Sequence, residues 1–106
     1  MTSHILPKVE HCETMLDVRR NIDALDERIV PLLAERGAYV AQAARIKQSA
    51  DQIFDAARIE FIIDRVRIQA AAAGAPEAVI EATYRAMIAA FIDFERGEFK
   101  RLRQEG

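Results

Sequence analysis

Several basic side chains and one acid stand on helical faces that are otherwise apolar, and their types suit the capture of a small anion. Arg36 continues the three- and four-residue rhythm of Ile22, Leu25, Ile29 and Leu32. Lys47 follows eleven residues later, about three full helical turns, so the two cations share one face with their Cα atoms about 16 Å apart. Two long side chains leaning together there could grip a dianion. Arg58 lies three residues after Asp55 and faces the same side at the start of a second helix. Glu95 is in line with Ile80, Tyr84, Ile88, Phe91 and Leu102 on a third. A carboxyl group on such a face is separated from water, and burial favours the neutral, proton-donating acid. Arg19, seventeen residues before Arg36, falls about 100° away around the helix. It cannot share that pocket within its own chain, but it can reach a pocket in a second chain.

Taken singly, each residue has a plainer role. An Arg on a helix stripe buries its stem and keeps its head in water. Asp55 alone is a helix cap, and Glu95 alone could pair with Arg96 or Arg101 at the surface. His4 and His11 read as tail residues and Cys12 as passive; Gly37 and Gly97 permit close helix packing. Together, the cations and the acid on inward faces call for a common explanation, and an anionic small-molecule pocket supplies one.

The elements that carry these residues are helices. Nineteen alanines with abundant Leu, Glu, Arg and Gln favour helix intrinsically. The first apolar stripe predicts one long amphipathic helix over Leu16 to Gln48, and its phase is kept across Pro31, which predicts a kink rather than a break. Ser49 to Phe54 reads as a loop. Asp55 caps a second helix whose stripe holds Phe61, Ile62, Val66 and Ala70, widened by Ile59, Ile63 and Ile68. Gly74 stops it, and Pro76 opens a third helix running to about Arg103. The reading is all-α: a 1–14 flexible N-terminal tail, then a 15–106 helical domain of one long and two shorter helices. A first helix of about 33 residues is roughly 50 Å long, more than two shorter helices can cover. The core is therefore expected to be completed by a second copy, as a homodimer.

Composition narrows the function. The chain has 106 residues, a formal net charge of -2 and a pI near 5.7, which argues against a nucleic-acid partner. One cysteine excludes an internal disulfide framework and a cysteine-based metal cluster. No run is long and apolar enough to span a membrane, and the start lacks a signal-peptide core, so a cytoplasmic location is expected.

The segment Val18-Arg19-Arg20-Asn21-Ile22-Asp23-Ala24-Leu25-Asp26, then Leu32-Leu33-Ala34-Glu35-Arg36, resembles the opening helix of the all-helical chorismate mutases. Lys47, Arg58 and Glu95 follow at the family spacing, and the likeness covers Leu16 to Leu102. It implies an intertwined homodimer with two sites, each lined by Arg36, Lys47, Arg58 and Glu95 and entered by Arg19 from the partner chain. It also implies rearrangement of chorismate to prephenate, with no metal or organic cofactor. Lys47 and Glu95 would be catalytic, and Arg19, Arg36, Asp55, Arg58 and Ile59 would bind substrate.

Two positions depart from the mutase pattern. Ile59 stands where those enzymes commonly carry Glu for the ring hydroxyl, leaving Asp55 for that task, and Phe91 stands where Ser is common. Ile59, the short loop after Lys47 and the Cys12 to Arg19 opening are closer to a sister branch, the isochorismate-pyruvate lyases of salicylate and siderophore synthesis. Those lyases typically carry Gln at the position of Glu95 and an apolar residue at that of Asp55, which favours the mutase. A non-catalytic helical dimerisation module is the third reading, and the intact set of cations and acid opposes it.

Overall fold

The structure, a computed structural model, describes residues 8–105. His4 and the first half of the expected tail lie outside the described residues. Helix α1 runs Met15–Ile46, α2 Ala56–Ala73 and α3 Glu77–Glu105, and the described residues contain no strand. The all-α expectation holds, with each boundary within two residues of its sequence signal. Thr14 starts α1 by accepting a hydrogen bond from the Asp17 N–H at 3.2 Å. Ahead of it the chain lies against α1, where Asn21 Nδ2 is 3.7 Å from Cys12 Sγ.

Pro31 does not split α1. The helix continues through it, although proline has no N–H to return to the Glu27 carbonyl. Glu27 and Pro31 are both exposed, so water can take that carbonyl. The segment expected to be a plain loop contains a single 3-10 turn, Ala50–Gln52. The Gln52 side-chain oxygen accepts from the Gln48 N–H at 2.8 Å and the Ser49 N–H at 3.4 Å. Three residues carry no period, so the turn leaves no apolar pattern to read.

Asp55 caps α2 as expected, its Oδ1 accepting from the Arg58 N–H at 3.0 Å. Gly74 ends α2 in the left-handed region at φ 72°, which glycine adopts without a Cβ penalty. Pro76 sits one residue before α3, its carbonyl accepting from Val79 and Ile80.

Helix α3 is the spine, packing against both α1 and α2. The buried apolar residues are Ala44, Ile53, Ile63, Val66, Ala70 and Ile88, spread along the two seams that α3 makes with α1 and α2. On α2 the buried side is narrower than the sequence stripe: Phe61 and Ile68 are exposed. Gly37 does allow a close approach, since a Cβ there would stand 3.1 Å from the Phe91 ring; Gly97 meets nothing within 4 Å. The first half of α1 projects beyond the bundle. The chain measures 56 × 30 × 25 Å with a radius of gyration of 17.4 Å, against about 13 Å for a compact chain of this length. No helix among the described residues is long and apolar enough to cross a membrane.

Candidate active site

A cavity of about 320 Å³ opens where the end of α1, the start of α2 and the middle of α3 converge. Arg36 and Lys47 reach it from α1; Asp55, Arg58 and Ile59 reach it from the beginning of α2. Ile53, Ile62, Ile88, Phe91 and Ile92 form its apolar walls. The volume is at the low end for small-molecule sites, and apolar walls with a few convergent polar groups are their usual chemistry.

Each cation is held differently. Arg36 lies over the face of Phe91, 5.0 Å from guanidinium carbon to ring centroid. The Gly37–Phe91 approach is what brings that ring beneath it. Arg58 lies over Phe61 at 5.2 Å. Neither guanidinium has a carboxylate partner among the described residues. Positive charge supported by ring faces and unmatched by acids leaves the cleft disposed to an anion. Asp55 spends one carboxylate oxygen on the cap of α2, which fixes its orientation at the cleft wall.

Lys47 is the exception, because its charge is met. Its Nζ lies 2.8 Å from Glu95 Oε2, and Glu95 is the one buried charged residue among the described residues, 6% exposed. The contact has the spacing of an ion pair but departs from hydrogen-bond angles, so Oε2 is a buried oxygen without an aligned donor. Such an atom costs free energy unless a ligand or a shift of its neighbour completes it. The plainer roles for Glu95 do not apply: Arg96 pairs with Asp93 and Arg101 with Glu98.

The structure therefore brings together Arg36, Lys47, Asp55, Arg58 and Ile59 around the cleft, with Glu95 behind Lys47. It does not bring Arg19 there. Arg19 is exposed on the projecting half of α1, about 25 Å from Arg36 at the helical rise. Sequence reasoning treated Phe91 as a departure and missed its place under Arg36; its position four residues before Glu95, on the same face, was the available signal. Among the described residues no group of three or more His, Cys, Asp or Glu is placed to hold a metal.

Comparison with known proteins adds two findings. The family model for chorismate mutase type II matches residues 18–96, a span that contains Arg19, Arg36, Lys47, Asp55, Arg58, Ile59 and Glu95. A curated chorismate mutase of Methanocaldococcus jannaschii is 38% identical over 56 residues, which are 52% of this chain. The match spans 57% of that relative's length.

Proposed function

This chain belongs to the chorismate mutase type II family, and from that premise we propose that it rearranges chorismate to prephenate in the cleft between α1, α2 and α3. The observation that carries the reading is the convergence of Arg36, Lys47 and Arg58 at one apolar-walled cavity, with buried Glu95 paired to Lys47 behind it. The reaction is an intramolecular Claisen rearrangement: an ether carbon–oxygen bond breaks as a carbon–carbon bond forms. It needs no nucleophile. It needs the substrate held in its compact reactive conformer, and donors aimed at the ether oxygen as negative charge grows there. Arg36 holds one carboxylate throughout. Lys47 turns from Glu95 to the ether oxygen. Glu95 is the second donor assigned to the same atom. Arg58 adds positive potential and orients the ring, and Asp55 accepts from the ring hydroxyl beside Ile59.

The second carboxylate requires another cation. In the proposed homodimer Arg19 of a second copy supplies it, and the exposed apolar residues of the projecting half of α1 support such a partner. A second reading keeps the fold and the cationic clamp but eliminates pyruvate from isochorismate. Ile59 at the cleft wall favours it, because no carboxylate stands there for the ring hydroxyl; Asp55 and Glu95 favour the mutase. Two assays separate these readings. Loss of chorismate absorbance with formation of prephenate is expected. Pyruvate release from isochorismate without chorismate turnover would transfer the assignment to the lyase. Turnover of neither substrate would leave a helical dimerisation module.

A further inference from the structure

Arg103 lies two turns beyond Glu95 on α3, yet its guanidinium reaches the last turn of α1. One terminal nitrogen donates to the Ala44 carbonyl at 2.8 Å, and the other donates to the Lys47 carbonyl. The group is stacked on Phe99, 3.5 Å from guanidinium carbon to ring centroid. The last carbonyls of a helix have no partner inside it and carry the negative end of its dipole. A planar fork of donors suits two of them at once, and a ring beneath sets its direction.

The clamp falls at the point where α1 stops. Lys47 donates its N–H to Ala43 at 2.9 Å, and its own backbone has already left the helix at φ -62°, ψ 141°. Helix α3 thus holds Lys47 twice, at the carbonyl through Arg103 and at the ammonium through Glu95. We infer that Arg103 is a positioning residue for Lys47: it fixes the backbone from which the flexible lysine stem departs, and so the direction of its ammonium, without touching substrate. The inference rests on the mutase reading of the cleft.

A displacement of about 1 Å at a reacting group can cost on the order of 100-fold in rate. The loss belongs in kcat, because Lys47 is assigned to charge that grows only in the transition state. A cap that served stability alone would move Tm and leave kcat.

The test uses the full chain with Arg103→Gln and Arg103→Lys. Lys100→Gln, an exposed cation bordering the same groove as Arg103, is the control for general loss of charge. Arg103→Gln is expected to lower kcat about 10-fold or more with KM within about 3-fold of the parent. Arg103→Lys, which cannot bridge two carbonyls in one plane, should fall between, and Lys100→Gln should match the parent. Amide hydrogen exchange over residues 47–49 should quicken about 10-fold in Arg103→Gln while α2 is unchanged. If Arg103→Gln does not fold, Arg103→Lys reads the same split. Parent-like kcat in the variants, a loss confined to KM, or unchanged exchange would overturn the inference. If the parent does not turn over chorismate, the functional reading fails instead, and exchange alone decides whether Arg103 clamps the Lys47 segment.

Discussion

The two halves of α1 follow one apolar rhythm and meet different fates. From Arg19 to Glu35 every residue is exposed, including Ile22 and Leu25 at 50% and Leu32 at 64%. From Arg36 onward the same face meets α3; Ala44 is fully buried and Arg36 and Lys47 line the cleft. The difference lies in the neighbours rather than in the helix. Amphipathicity specifies that a face will be covered and says nothing about which chain covers it. Apolar residues left exposed along those seventeen residues are the kind of surface that association covers; the half that packs within the chain lines the cleft.

The hardest test of the chemical half is Lys47→Ala. It is expected to lower kcat by about 100-fold or more, the scale of one donor lost from a preorganised site, with a smaller change in KM. Steady-state kinetics with kcat unchanged would break the assignment. The projecting half is tested by mixing Arg19→Ala with Lys47→Ala after subunit exchange. Each inactive alone, they should together recover roughly a quarter of the parent's sites, because only mixed dimers hold one intact site. No recovery once mixed dimers have been detected would mean that the two halves do not cooperate across chains.

Much of this division was legible beforehand. Caps at Asp55 and Gly74 placed the helix ends, and charges on apolar stripes located the cleft. The rest depended on relations through space. Glu95 pairs with Lys47 rather than with its neighbours because of how α3 crosses α1, a relation no single-helix period contains. Phe61 and Ile68 share a broad apolar surface with Ile63 and Val66, and periodicity alone does not say which side of α2 turns inward.

The two helical glycines sharpen the comparison at smaller scale. Gly97→Ala meets nothing within 4 Å and gains the alanine helix preference of about 1 kcal/mol, so Tm should rise by about 4–8 °C. A fall would show that something covers that surface. Gly37→Ala gains the same preference but puts its methyl 3.1 Å from the Phe91 ring. Its Tm should rise less, and KM should increase a few-fold as the ring under Arg36 shifts.

The smallest effect concerns the α2–α3 contact. Arg85 bonds both Glu60 oxygens, at 3.0 and 3.2 Å, and Glu81 at 2.9 Å. The hydrogen bonds from Arg85 hold the Glu60 carboxyl below its usual range. A lowered folded value means that the stabilisation is complete above the unfolded value of about 4.5 and is lost as pH falls through the folded one. Glu60→Gln should therefore lower Tm by about one or two degrees at pH 7, an exposed pair being weak, and the gap should close in acid. Thermal melts across pH 7 to 3 would measure it, and a gap that widened in acid would contradict the sign.

Pro31 has a consequence for how α1 comes apart. Helical growth is cooperative because each added residue contributes a bond, and Pro31 contributes none. Fraying that starts at Thr14 meets at Pro31 a residue whose fixed φ suits the opening position of a helix and whose missing N–H is no loss there. A chain whose first four turns had melted would still restart its helix at Pro31, five residues before Arg36. The proline thus acts as a firebreak: disorder in the projecting half stops short of the half that holds the cleft.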